Sequence, residues 1–181
     1  IEDRQRLRCR LLRQGQVLAE RAAVNDVVLS QAEKSRLMEL CAFINGELIT
    51  SYLADGLILA TPTGSTAYNL AAGGPILAPH IDGVVLTPIC PHTLTARPLV
   101  APLDARITVR GVRSADSMLL TVDGQWQHHL EPGDEVEITR AEHPLRLLRA
   151  QGRTFYELLK TKLHWGVGRD DAGRSPQGEP R

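Results

Sequence analysis

Aromatic residues are scarce: phenylalanine, tryptophan and tyrosine make up 4% of the 181 residues. That argues against a platform on which single-stranded bases stack. The formal net charge is zero, so no bulk field draws the chain to nucleic acid or to an anionic membrane. No apolar run approaches the roughly 20 residues that cross a bilayer, and no signal-peptide pattern is present. Cysteine is limited to Cys9, Cys41 and Cys90, an odd and widely spaced set without Cys-x-x-Cys. They are expected to be buried free thiols in a reducing compartment, neither staples nor zinc ligands. The expectation is a cytoplasmic protein with no nucleic-acid and no membrane partner. The common phosphate loops are missing too: neither Gly-x-x-x-x-Gly-Lys-Ser/Thr nor Gly-x-Gly-x-x-Gly occurs.

What is present is ordinary globular composition, 43% apolar and 23% charged, in a length that suits one domain with a real core. The pattern is mostly that of strands. Arg6 to Leu11 alternates strictly, with Leu7, Cys9 and Leu11 on the inward side and a solvated arginine face opposite. Gln14-Gly15 turns into a strand near Val17, and Val24 to Leu29 follows. Met38 to Ile44 and Glu47 to Tyr52 flank Asn45-Gly46, the strongest short hairpin signal in the chain. Gly83 to Thr87 reads as a buried strand, with Pro88 to His92 a rigid loop after it. Arg106 to Arg110, Ser117 to Val122, Gln125 to His129, Glu135 to Arg140 and Leu145 to Leu148 complete the set. Asp123-Gly124 is a plain turn. His128 and His129 diverge on their strand and cannot share a metal. Thr154 is expected to cap a last helix, Phe155 to Leu163, and Gly166 to Arg181 reads as a disordered tail. The expected fold is mainly β, a layered β-sandwich of about ten or more strands with two helices.

The chain is organised around one stretch, Ala54 to Pro75. Leu57 to Ala60 is a short apolar run that reads as a buried strand. Thr61-Pro62-Thr63-Gly64 breaks it. Ser65 or Thr66 is expected to cap a short helix, Ala67 to Ala72, which Gly73-Gly74-Pro75 stops. The turn carries four hydroxyls (Thr61, Thr63, Ser65 and Thr66), more than one cap needs. Tyr68 sits where its ring could cover an aromatic ligand. Asp55 stands just before the strand, where a carboxylate could accept from a ribose or an amide. No Lys or Arg lies between Asp55 and Tyr68, so the loop suits a sugar or a base better than a bare triphosphate.

Asp55-Gly56-Leu57-Ile58, then Ala60-Thr61-Pro62-Thr63-Gly64-Ser65-Thr66-Ala67-Tyr68 and Ala72-Gly73-Gly74-Pro75, resemble the NAD-binding segment of NAD kinases. The resemblance extends to Leu86 to Leu94, Arg97 to Val100, Asp123-Gly124-Gln125, Pro132-Gly133-Asp134 and Phe155 to Gly166. Asn25-Asp26 resembles the family's Asn-Glu/Asp pair. The match runs from about residue 5 to 166. The family's Gly-Gly-Asp-Gly-Thr motif, carrier of the catalytic base and the ATP-side loop, does not occur in the sequence.

The resemblance implies the C-terminal, NAD-binding part of an enzyme that moves a phosphoryl group from ATP, with Mg²⁺, to the 2′-hydroxyl of the NAD adenosine ribose. Residues 1–150 would be the NAD-binding β-sandwich, 151–165 a helix packed on an N-terminal domain outside this sequence, and 166–181 a tail. Asn25 and Asp26 are implied to hold the adenosine end. Thr63, Thr66, Ala67, Tyr68, Asn69, Leu70 and Ala71 are implied to form the NAD pocket, with Gln125 closing it. Asp55 is implied to contact NAD, from a neighbouring subunit of a homodimer or homotetramer. No catalytic residue and no metal ligand is assigned within the chain. Arg36, Leu53, Cys90 and His92 are secondary candidates. Arg36 falls where the family often has a ligand-facing residue, and a surface arginine reads equally well. Leu53 stands where a basic residue is often found. His92 has the chemistry of a general base near neutrality, against the plainer reading of a loop histidine. Such a fragment is expected to be inactive alone. A non-catalytic dinucleotide-binding or assembly module is the alternative. A lipid or sphingoid kinase fits less well, since a lipid would want an apolar pocket in place of the hydroxyl-rich loop.

Overall fold

The computed structural model describes residues 1–32, 38–113, 118–148, 152 and 154–165. They fall into two compact units, Ile1–Leu148 and Arg149–Arg181. In chain order the strands of the first unit are β1 (Glu2–Arg4), β2 (Leu7–Arg13), β3 (Gln16–Ala23), β4 (Asp26–Gln31), β5 (Met38–Ile44), β6 (Glu47–Ala54), β7 (Gly56–Ala60), β8 (Gly83–Ile89), β9 (Leu99–Pro102), β10 (Ile107–Arg113), β11 (Met118–Val122), β12 (Trp126–His129), β13 (Glu135–Arg140) and β14 (Leu145–Leu147). They form two six-stranded sheets, β3-β2-β13-β10-β5-β6 and β12-β11-β4-β7-β8-β9, and a short β1-β14 pair. The layered, mainly β expectation holds.

The first sheet follows from alternation. In β2, Leu7, Cys9 and Leu11 are buried while the residues between them are not. Two hairpins close on left-handed pairs, Gln14-Gly15 (φ 52° and 78°) and Asn45-Gly46 (φ 52° and 86°). Such turns match the twist of the strands they join. The Asn45 side chain also accepts from the Arg106 amide at 3.0 Å.

The second sheet has a different logic. All five residues of β7 are buried. Leu57 and Leu59 face the core between the sheets, with Leu7, Leu40, Ile107 and Leu120. Ile58 and Ala60 face the other way and join Val28 and Val85 in a second apolar cluster, on which Ala72, Leu77 and Ile89 pack. A strand covered on both faces needs no polar positions, which is why this run is continuously apolar. Each fully buried Leu or Ile adds about 1.5–3 kcal/mol.

Several expectations need correction. The strand expected from Val24 begins at Asp26. Pro88 and Ile89 belong to β8, not to a loop. β9 pairs β8 only as far as Leu86, so a residue without an N–H is tolerated beyond it. The helix expected from Ala67 to Ala72 is a 3-10 turn, Gly64–Thr66, followed by α1 (Tyr68–Ala71), and no side chain caps either one. Of the three thiols Cys9 is buried, Cys41 half-buried and Cys90 exposed. Burial pushes the Cys9 thiol up to about 12.

In the second unit α2 (Phe155–Leu163) begins at Thr154, as expected. The Thr154 hydroxyl accepts from the Glu157 amide at 3.2 Å, and the Glu157 carboxylate accepts from the Thr154 amide at 2.7 Å. This reciprocal box satisfies two amides that the helix leaves open. The expected tail lies outside the described residues.

Candidate functional site

The outer face of the second sheet carries a cavity of about 380 Å³. Asp26, Val28 and Ser30 line it from alternate positions of β4, and Thr121 of β11, paired with Val28, lines it beside them. Asn25 stands just before β4, Asp123 and Gly124 form the β11–β12 turn, and Ala67 and Tyr68 come from the start of α1. Tyr68 is 48% exposed, so its ring is free at the rim. Among the described residues no Lys, Arg or His lines the cavity.

The hydroxyl-rich turn is braced internally. The Thr61 hydroxyl donates to the Val24 carbonyl at 2.6 Å and accepts from the Gly64 amide at 3.0 Å. Its own amide donates to the Asn25 carbonyl at 2.9 Å. The Ser65 hydroxyl donates to the Pro62 carbonyl at 2.6 Å and accepts from the Leu77 amide at 3.0 Å. Thr61 and Ser65 are fully buried, so two of the four hydroxyls hold the turn and do not face solvent. A Cβ on Gly64 would collide with the Asn25 backbone, which is why glycine is required there. Asn69 is fully buried and committed as well. Its amide nitrogen donates to the Ser65 and Pro75 carbonyls, each at 3.0 Å, and its oxygen accepts from the Thr87 hydroxyl at 2.6 Å. A Cβ on Gly74 would fill the space that this contact occupies.

The expected site residues thus divide. Asn25, Asp26, Ala67 and Tyr68 share the cavity. Thr63 is half-buried and Thr66 exposed, with the Thr66 hydroxyl turned to the Thr63 carbonyl at 3.2 Å. Leu70 is half-buried, and Ala71 and Gln125 are exposed. None of these five lines the cavity. Asp55 lies at the opposite end of β7 from Thr61, about 20 Å along the strand. There its carboxylate is 3.9 Å from the His92 ring. The His92 amide donates to the Leu53 carbonyl at 2.8 Å, which brings three of the candidates together at this second place. Cys90 follows β8 there, with φ 45°. Arg36 lies outside the described residues.

Sequence reasoning missed the part Asp123 plays beyond its turn. Its carboxylate accepts from the amides of Val24 (2.8 Å), Asn25 (2.7 Å) and Asp26 (3.0 Å). The partners are 97 to 99 residues away in the chain, and nothing local to Asp-Gly announces that. Beside it, burial and then the negative charge of Asp123 push the Asp26 carboxyl up to about 6.

Among solved structures, this architecture is shared with a yeast NADH kinase determined in complex with NADH. The TM-score is 0.85 at 34% identity, over 92% of this chain and 49% of that one. An NAD kinase from Archaeoglobus fulgidus, 24% identical, shares the fold with a TM-score of 0.73, over 89% of this chain and 60% of that one. Curated relatives include the NAD kinase of Geotalea daltonii, 43% identical over 92% of this chain and 58% of that protein. The NAD kinase of Moorella thermoacetica is 45% identical over 94% of this chain and 55% of that protein. The family model of the ATP-NAD kinase C-terminal domain matches residues 24–150. The chain belongs to the NAD kinase family. It spans little more than half the length of these curated relatives.

Proposed function

We propose that this chain is the acceptor half of an NAD kinase: it holds NAD so that the 2′-hydroxyl of the adenosine ribose can take a phosphoryl group from ATP, giving NADP. The observation that carries the reading is the convergence of Asn25, Asp26, Ala67 and Tyr68 on one cavity. Phosphoryl transfer asks a protein chiefly for positioning and charge stabilisation. In this reading the Asn25 amide pairs with an adenine edge, the ionised Asp26 carboxylate accepts from a ribose hydroxyl, and the Tyr68 ring covers the base. Thr63, Thr66, Leu70, Ala71 and Gln125, outside this cavity, are assigned to the parts of NAD that extend beyond it, and Asn69 holds the turn from within. The position of Asp55 away from the cavity is consistent with service to a neighbouring copy in a homodimer or homotetramer.

Among the described residues no three His, Cys, Asp or Glu gather to hold a metal ion. In this reading the divalent ion, ATP and the catalytic base are assigned to none of the residues lining the cavity, and no step here runs through them. No described helix is long and apolar enough to cross a membrane, and a cytoplasmic location is part of the proposal.

The test is calorimetric titration of NAD into the chain, with Tyr68→Ala and Asp55→Ala as controls, and an assay for NADP formation. Binding that Tyr68→Ala weakens, without NADP formation by the chain alone, is expected. A folded chain that ignores NAD overturns the proposal. Turnover by the chain alone overturns the assignment of the chemistry to other residues.

A further inference from the structure

We infer that Asp123 is a positioning residue for the acceptor site: through the backbone amides it holds, its carboxylate fixes Asn25 and Asp26 in the arrangement that receives the adenosine ribose. This rests on the acceptor reading above and adds a residue and a role to it.

The geometry is a continuous frame. Three consecutive amides, of Val24, Asn25 and Asp26, point at one carboxylate within 3.0 Å. The Asp123 amide returns a bond to the Asp26 carbonyl at 3.0 Å. On the far side of the same three residues, the Val24 and Asn25 carbonyls accept from the hydroxyl and amide of Thr61. Thr61 in turn holds the Gly64 amide, and Gly64 lies against the Asn25 backbone. One carboxylate on the β11–β12 turn therefore ties the start of β4 to the Thr61–Gly64 turn, and both run into walls of the cavity. Hydrogen bonds to a charged acceptor are about twice as strong as neutral ones. Three of them on successive amides leave that backbone little freedom. Asp123 reaches φ 50° and Gly124 φ 67°, a left-handed pair that aims the Asp123 side chain back at β4.

The placement has an electrostatic consequence. Asp26 and Asp123 are both carboxylates, and Tyr68 is the remaining titratable group among the described residues that line the cavity; Thr121, Ser30 and Asn25 are neutral. The negative charge on Asp123 thus opposes ionisation of Asp26, and among the described residues no cation lines the cavity to offset it.

The experiment is NAD titration of the 181-residue chain across pH 5 to 8, as wild type, Asp123→Asn, Asp26→Ala and the double variant. Asp123→Asn keeps the shape and removes the charge. It should weaken NAD binding about tenfold, the cost of degrading a charge-assisted contact, and move the pH midpoint of binding downward. A residue that merely supports the fold would leave that midpoint in place. The double variant should lose less than the sum of the two single losses, since Asp123 acts in part through Asp26. Asp123→Glu retains the charge on a longer arm. It covers the case in which Asp123→Asn does not fold, and should also weaken binding several-fold. Wild-type binding matched by Asp123→Asn, with Asp26→Ala impaired, overturns this inference alone. Additive losses in the double variant overturn it as well. A folded wild type that ignores NAD overturns the acceptor reading and this inference with it.

Discussion

The two six-stranded sheets share a core and differ on their outer faces. The first sheet shows solvent a lattice of ion pairs: Arg10 with Glu20 and Glu137, Arg106 with Glu137, and Arg110 with Glu135. Its outer cavity is the larger, about 640 Å³, lined by groups such as Asp104, Arg106, Glu135 and Glu137 that already pair among themselves or meet water. The second sheet is covered by the segment between β7 and β8, residues 61–82, which packs Ala72 and Leu77 on it. Where that cover ends, a smaller cavity opens, holding the buried Asp26, half-buried polar groups and an exposed ring. Cavity size is thus a poor guide here. What distinguishes the second face is that its polar backbone is tied down by side chains spent on nothing else.

The contrast gives graded expectations. Gly64→Val should be the most damaging, because the added atoms meet the Asn25 backbone. A loss of about 3 kcal/mol or more, read as the denaturant midpoint, is expected. Asn69→Ala strips three hydrogen bonds from a fully buried amide and should cost about 2–3 kcal/mol. On the first sheet, Gly15→Ala meets open space at φ 78° and should cost about 1 kcal/mol. Glu135→Ala removes an exposed partner of Arg110 and should cost under about 1 kcal/mol. Equal losses on both sheets would break the comparison.

Asp26 separates stability from binding. Its folded value near 6 lies above its ordinary 3.8. Its contribution to stability is full below pH 3.8 and is lost as pH rises through about 6. Binding runs the other way, since the acceptor is the ionised form. NAD affinity should fall as pH drops below about 6, while Asp26→Asn melts higher than wild type at pH 7.5. Asp134 shows the opposite sign on the first sheet. Burial alone would raise its carboxyl. The bidentate Arg13 contact, at 2.8 and 3.0 Å, and the Glu131 amide outweigh this and hold it below the usual range. Its contribution is present above pH 3.8 and lost as pH falls through the lowered value. Arg13→Ala should flatten that acid limb of a melting-temperature profile.

Much of this was legible in the sequence. The Asn45-Gly46 hairpin, the alternation of β2, the unbroken β7 and the Thr154 cap are set by contacts close in sequence. The family motifs marked Asn25, Asp26, Ala67 and Tyr68. The rest depended on distant partners. The turn's four hydroxyls read as more than one cap needs, with Ser65 or Thr66 as the cap; those of Thr61 and Ser65 instead engage Val24, Pro62 and Leu77. Asp123 read as a turn because its three amides lie across the sheet. Pro88 read as a strand breaker because nothing local says that the pairing of β8 with β9 ends at Leu86.

The most direct test of the account is to record backbone amide shifts of the chain during NAD titration. Perturbations centred on Asn25 to Ser30, Ala67, Tyr68 and Thr121 to Gly124, on the outer face of the second sheet, are the predicted result. Shifts gathered instead around Arg106, Glu135 and Glu137 on the first sheet would contradict it.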